Sequence, residues 1–122
     1  MIKQKVFRDK KYGKWIHENL NCCITGRPYP DPHHIIGHGY SAMGAKAPDH
    51  LQIALSHDLH LELHQHGWKA FEEKYEVTQK ELAAKTLAQA HAMGRINIFD
   101  LITDGHIPEW LEDEIIKLGT LR

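Results

Sequence analysis

The chain has 122 residues and a net charge of −1, and its 42% hydrophobic and 25% charged residues are typical of one globular domain. No apolar run approaches the ~20 residues of a membrane-spanning helix, the first residues are not apolar as in a signal peptide, and the charge is unlike that of a strongly electrostatic nucleic-acid binder. The adjacent pair Cys22 and Cys23 offers no disulfide framework. We therefore expect a cytoplasmic protein with no membrane partner.

The first half of the chain predicts a helix followed by a β-hairpin. A short helix over 12–20 can place Trp15, Ile16 and Leu20 on one face. The proline-rich stretch 28–32 cannot be helical, so we predict a strand over 33–36, a glycine-rich loop over 37–44 and a second strand over 51–55.

The second half predicts helices. Ser56 is a candidate N-cap for a helix over 57–66, which Gly67 breaks or bends before a helical segment over 68–76. Thr78 is expected to cap a helix over 79–93. Pro108 suits the first turn of a helix that ends near Leu118.

The charges are unevenly distributed along the chain. Residues 1–14 carry a local charge of +5 and residues 96–122 a local charge of −4. The basic stretch could contact phosphate groups, and a solvated charged surface is the alternative interpretation.

Histidine is the unusual feature of the composition, because seven of the eleven histidines lie between His33 and His64. His60 and His64 are four residues apart, so on a helix they share a face and can bind one metal ion. Two exposed histidines at this spacing also arise by chance. A zinc protease of the H-E-x-x-H kind is excluded, because Glu62 is two residues after His60 and not directly after it.

His33 and His34 add a second histidine pair on the predicted first strand. The predicted order is strand, loop, strand and histidine-bearing helix. This order and its residues resemble HNH endonucleases of the ββα-metal superfamily. The matching segments are His33-His34-Ile35-Ile36-Gly37-His38-Gly39, Met43-Gly44-Ala45-Lys46, Asp49, Leu55 and His60-Leu61-Glu62-Leu63-His64. The similarity is greatest to a prophage-borne branch that includes recombination-enhancement nucleases, and colicin-type DNases are more distant. It covers roughly residues 15–76.

The predicted elements indicate an α+β fold, and the resemblance implies a ββα-metal motif and a role for each matching residue. The expected fold is a mostly helical single domain over 1–122, with one small antiparallel hairpin inside a ββα-metal motif over about 22–76. The N-terminal basic arm and helix over 1–20 and the helical part over 77–122 would flank this motif. His33, His60 and His64 would bind one divalent ion (Mg, Mn, Ni or Zn), His34 would be the general base, and Asp49 would orient that base by holding the loop backbone.

Two loop residues are further candidates for contacts with phosphate or DNA. His38 matches the family pattern, although anchoring of the loop is an equal alternative, and Lys46 could steer DNA or be a solvated charge.

The sequence departs from the family at the positions of a structural zinc. The two ligand pairs of that zinc correspond to Cys22 with Thr25 and to Ser56 with Leu59, so three of four ligands are replaced. We expect no structural zinc. A weaker alternative is a zinc site formed by Cys22, Cys23 and His57.

The function implied by the resemblance is hydrolysis of DNA phosphodiesters with low sequence specificity, giving 5′-phosphate and 3′-hydroxyl ends. The expected partners are DNA and phage recombination proteins. Two alternatives stay open: an accessory DNA-binding protein that keeps the metal motif without cutting, and a metal-sensing or zinc-storage protein.

Overall fold

The computed structural model describes residues 6–37 and 47–119, so His38 and Lys46 lie outside the described residues. The described residues form a mostly helical α+β fold with one small antiparallel hairpin, as predicted. The elements are α1 (Tyr12–Asn19), β1 (Asp31–His34), β2 (Gln52–Leu55), α2 (His57–Tyr75), α3 (Gln79–Ala92), α4 (Ile98–Thr103) and α5 (Glu109–Lys117).

The hairpin pairs β1 with β2, with Pro32 opposite Ala54 and His33 opposite Ile53. The prediction of a first strand over 33–36 was wrong by two residues, because the strand begins at Asp31 and ends at His34. A proline is tolerated here since each strand of a two-stranded sheet has one edge that needs no partner strand. The outer edge of β2 is covered by α3, where Thr86 Oγ1 accepts the Ala54 N–H at 3.2 Å.

Helix α2 carries the second histidine pair and bends where the sequence predicts it. Gly67 has φ 82° and ψ 169°, a conformation that glycine adopts without steric cost, and it separates two helical segments. Ser56 precedes the helix as predicted, but its side chain makes no capping hydrogen bond. The capping role proposed for Ser56 was therefore wrong; its hydroxyl is buried beside the hairpin.

Of the last three helices, α3 packs against β2, and α4 and α5 pack against α3. Thr78 caps α3 as predicted, with its Oγ1 accepting the Glu81 N–H at 3.1 Å. Helix α4 was not predicted, although Asn97 caps it by accepting two backbone N–H groups. Pro108 lies at the N-cap of α5, one residue before its first turn, because its ψ of 160° is extended.

One hydrophobic cluster joins these elements, and it includes Ile16, Ile53, Leu63, Leu87 and Ile115. Strand β2 lies inside it, since all four of its residues are buried, whereas three of the four residues of β1 are partly exposed. The histidines of β1 and α2 are thus carried by a rigid scaffold. Among the described residues, no helix combines the length and the apolar character that crossing a membrane requires.

Candidate active site

Three imidazoles converge between β1 and α2. His60 and His64 lie one turn apart on α2, and their Nε2 atoms are 3.0 Å apart. His33 approaches from β1, with its Nδ1 atom 3.2 Å from Nε2 of His60. Within the described ranges, these are the three residues whose ligand atoms meet the distance expected of a metal centre, all within 4.8 Å of one another.

The donor chemistry of this cluster fits a divalent ion. A neutral imidazole has one N–H and one lone pair, and Nε2 of His60 faces two ring nitrogens although it can accept only one good hydrogen bond. A metal ion would instead accept one lone pair from each ring. With metal–nitrogen bonds of about 2.0–2.1 Å, tetrahedral ligands lie about 3.3 Å apart, close to the two separations observed.

His33 is held in the state that a metal ligand requires. It is buried at 8% exposure. Burial, with smaller contributions from the positive charge of His60, His64 and His34, lowers the pKa of His33 to about 4. The imidazole is therefore neutral at physiological pH, with a lone pair to donate.

Asp31 belongs to this centre although sequence reasoning missed it. Its Oδ2 atom lies 2.7 Å from Nδ1 of His57 and 3.1 Å from Nδ1 of His60. Desolvation acts to raise the pKa of Asp31, but the hydrogen bonds and charges of His57 and His60 together lower it, so the carboxylate is ionised. The predicted strand began at His33, whereas the observed strand begins at Asp31, and this two-residue spacing places Asp31 and His33 on the same face.

His34 points to the other face of β1 and contacts Asp49. Its Nε2 atom lies 2.9 Å from Oδ1 of Asp49. The prediction gave Asp49 the task of orienting the base through the loop backbone, whereas in the structure its carboxylate meets the ring of His34 directly. Adjacent strand residues point to opposite faces, which explains why His33 joins the metal cluster and His34 does not.

A network of donors holds the carboxylate of Asp49 in place. Its Oδ2 accepts the Asp9 N–H at 2.8 Å, and Nη1 of Arg8 lies 3.2 Å from its Oδ1. Burial acts to raise the pKa of Asp49, but the hydrogen bonds from His34, Asp9 and Arg8 outweigh it and the pKa is lowered. Because an ionised carboxylate only accepts, the proton of His34 resides on Nε2 and its Nδ1 atom carries the lone pair.

This histidine–aspartate pair lines a cavity of about 360 Å³ whose other walls come mainly from the basic stretch near the start of the chain. Arg8 and Lys10 contribute positive side chains, and Gly13 lies at the first turn of α1. Asp9 and Asp49 also line the cavity, so positive and negative side chains both lie next to His34.

The cysteine pair is not part of the histidine cluster. Cys22 Sγ accepts the backbone N–H of Thr25 at 3.4 Å, and both thiols are free and buried. Burial raises the pKa of Cys23 to about 12, which disfavours a thiolate at that residue. Burial acts to raise the pKa of Cys22 as well, but hydrogen bonds, chiefly from Thr25, lower it. His57, the third member of the alternative zinc site, instead contacts Asp31.

Comparison with known proteins identifies a family whose model matches this chain. Residues 1–94 match the model of a family described as a protein of unknown function (DUF968), and this range includes all residues of the site. The uncharacterized protein YdfU of Escherichia coli (strain K12) is 39% identical over 92 residues, which are 75% of this chain and 26% of YdfU. The match thus spans about a quarter of that relative. No solved structure matches the chain significantly. The extent of the family match shows that the chain belongs to the DUF968 family.

Proposed function

We propose that the chain is a divalent-metal-dependent endonuclease that hydrolyses DNA phosphodiesters. The observation that carries this proposal is that two adjacent residues of β1, His33 and His34, belong to two different groups of side chains. His33 joins His60 and His64 in a cluster that fits a metal ion, while His34 contacts Asp49. Phosphodiester hydrolysis needs both a charge-stabilising centre and a base.

In this proposal His34 accepts a proton from water. Asp49 holds the Nε2–H of His34, so that Nδ1 is the basic atom, and the negative charge of Asp49 stabilises the imidazolium that forms. As the water loses its proton to Nδ1, its oxygen bonds to phosphorus and the bond from phosphorus to the 3′ oxygen breaks. The departing 3′ oxygen keeps the bonding electron pair and takes a proton from solvent to give the 3′-hydroxyl end. A divalent ion held by His33, His60 and His64 would neutralise charge on the phosphate and on the leaving oxygen. Because this cluster and His34 lie on opposite faces of β1, the phosphodiester would have to extend past the strand to meet both.

DNA is supported as the substrate by charge near the base. Arg8 and Lys10 line the cavity that contains His34 and supply positive side chains for a phosphate, beside the carboxylates of Asp9 and Asp49, which pair with Arg95 and Arg8. The resemblance to HNH endonucleases points to the same substrate class. No described element resembles a base-reading module, which favours low sequence specificity.

The decisive experiment is a plasmid-nicking assay with Mg²⁺, Mn²⁺, Ni²⁺ and Zn²⁺ and an EDTA control. We expect nicking with at least one of these ions and none in EDTA. His60→Ala should lose activity at low metal concentration and regain part of it with excess metal, because a ligand is removed. His66→Ala is the matched control, since His66 is an exposed histidine of the same helix that lies outside the cluster.

The contrary results are clear. Nicking that persists in EDTA, or a His60→Ala variant as active as His66→Ala at every metal concentration, would rule out metal-dependent cleavage at this centre. Binding of DNA without cutting under all four ions would favour the accessory DNA-binding protein.

A further inference from the structure

Asp31 occupies a defined place behind the candidate metal centre. It is the first residue of β1, while His57 and His60 are three residues apart and share a face at the start of α2. The carboxylate of Asp31 meets both imidazoles through one oxygen, Oδ2, at 2.7 Å and 3.1 Å. His60 is thus held at both ends of its ring, by Asp31 at Nδ1 and by the histidine cluster at Nε2.

The tautomer of His60 follows from which of these groups can donate a proton in a hydrogen bond. An ionised carboxylate has no proton to donate, so the Nδ1 atoms of His57 and His60 must be the donors. A neutral His60 with its proton on Nδ1 has its lone pair on Nε2. That lone pair points toward Nδ1 of His33 and Nε2 of His64, where a metal ion would need it.

We propose that Asp31 is a positioning residue that holds His60 in the Nδ1–H tautomer and aims its Nε2 lone pair at the metal centre. The inference rests on the proposed metal centre. It adds a sixth residue to the set expected from the sequence, which is His33, His34, Asp49, His60 and His64. A carboxylate behind a ligand histidine fixes ring orientation and strengthens the ligand.

His57 distinguishes this role from a purely structural tie between β1 and α2. Both histidines connect Asp31 to the first turn of α2, but the side chain of His57 is 74% exposed whereas that of His60 is 21% exposed. If Asp31 only fastened the strand to the helix, the shorter contact with His57 would matter as much as the contact with His60. If Asp31 positions a ligand, only its contact with His60 affects metal affinity.

The first test needs no variant and no metal. Long-range ¹⁵N–¹H correlation spectra of the metal-free wild-type chain, near neutral pH, report which ring nitrogen of each histidine carries the proton. We expect His60 to be predominantly the Nδ1–H tautomer, against the usual preference of free imidazole side chains for Nε2–H. A predominantly Nε2–H His60 would overturn the proposal.

The second test measures zinc affinity by competition with a chromophoric chelator. Asp31→Ala should weaken Zn²⁺ binding by about 10–100-fold, the effect typical of losing such a partner. Asp31→Asn, which keeps the shape and one acceptor oxygen, should lie between Asp31→Ala and the wild type. His57→Ala should weaken binding by less than about fivefold, because an exposed pair contributes little.

Thermal unfolding in EDTA separates folding from ligand positioning for each variant. If Asp31→Ala does not fold, the Zn²⁺ affinity of Asp31→Asn and the tautomer of His60 in the wild type still test the proposal. Asp31 variants that fold and bind Zn²⁺ like the wild type would overturn this inference alone. A wild-type chain that binds none of the divalent ions would overturn the metal centre and this inference together.

Discussion

Nε2 of His34 lies 2.9 Å from Oδ1 of Asp49, and the same carboxylate accepts the backbone N–H of Asp9 at 2.8 Å. The candidate base is therefore tied, through one acidic side chain, to the basic stretch that precedes α1. That stretch is anchored again by Asp9, whose Oδ2 lies 2.8 Å from Nη1 of Arg95 beyond α3. The position of His34 thus depends on contacts that span most of the chain.

Removal of the base should abolish cleavage and leave metal binding intact. We expect His34→Ala to lower the single-turnover rate of cutting a labelled duplex by about 10²–10⁴-fold, the usual contribution of a general base. Zn²⁺ affinity should stay near that of the wild type, because His34 faces Asp49 and not the metal cluster. Undiminished cutting by His34→Ala would remove the proposed mechanism.

Neutralising Asp49 should affect both rate and stability. In Asp49→Asn the side chain keeps its size but loses the charge that stabilises a protonated His34, so we expect a rate loss of about 10-fold or more, smaller than that of His34→Ala. The Asp9 N–H also loses a charged acceptor, which should reduce the free energy of unfolding by about 1–2 kcal/mol. Urea unfolding in EDTA measures this second effect, and a variant with full stability and full rate would contradict both expectations.

Arg8 should contribute to the cleavage rate through its hydrogen bonds as well as through its charge. Its Nη1 atom donates to the Ala47 carbonyl at 2.7 Å and lies 3.2 Å from Asp49 in the cavity beside His34. We expect Arg8→Ala to lower the cleavage rate by about 10-fold, with partial recovery in Arg8→Lys, which lacks the planar fork.

Lys14→Ala is the matched control for Arg8→Ala. It removes the same charge from the same basic stretch, but Lys14 is 81% exposed and pairs with Glu18. Long-range attraction of DNA should fall equally in both variants, and raised salt should reduce this common part. Equal rate losses in the two variants would show that only net charge matters.

Metal stoichiometry should be one ion per chain. Cys22 and Cys23 are buried, and the raised pKa of Cys23 disfavours a thiolate ligand there. Elemental analysis after mild chelation should therefore find at most one tightly held ion, and that ion should be lost in His60→Ala. A second ion, released only by thiol-modifying reagents, would show that a cysteine site exists.

The hairpin and the long helices could be predicted because their signals are local. Gly67 marks the bend of α2, and Thr78 with Glu81 marks the start of α3, so short-range sequence was sufficient. Helix α4 was missed because it has six residues, too few for an apolar periodicity to develop. The start of β1 was misplaced because pairing of Pro32 with Ala54 depends on the partner strand.

The candidate site was predictable in its histidines and not in its acidic partners. The spacing of His60 and His64 shows that they share a helix face, and the resemblance supplied His33 and His34. The two carboxylates differ. Asp49 was identified by the resemblance, but its direct contact with His34 follows from the fold. Asp31 was missed because its contacts with His57 and His60 join residues 26 and 29 positions apart.

Acid should destabilise the fold through a histidine outside the candidate site. His50 is 1% exposed, its Nε2 donates to the His106 carbonyl at 2.7 Å, and the ring of Phe7 packs edge-on at 5.2 Å. Burial is the main cause that lowers the pKa of His50 from 6.5 to about 4. The nearby His106 lowers this pKa further, whereas the His106 carbonyl and the charge of Asp49 oppose the shift.

The pH dependence follows from the difference between the folded and unfolded states. Because the pKa of His50 is lower in the folded state, the unfolded chain binds a proton at this residue first as the pH falls. The contribution of His50 to stability is therefore complete above about pH 6.5 and is lost as the pH falls toward about 4. We expect the free energy of unfolding, measured with urea in EDTA, to drop by up to roughly 3 kcal/mol from this group over that window. His50→Gln, which keeps a side-chain donor, should show a shallower drop, with the remainder due in part to buried His33. His66→Gln, at an exposed position, is the control and should follow the wild-type curve. A His50→Gln variant as acid-sensitive as the wild type would exclude His50 as the source of the acid sensitivity.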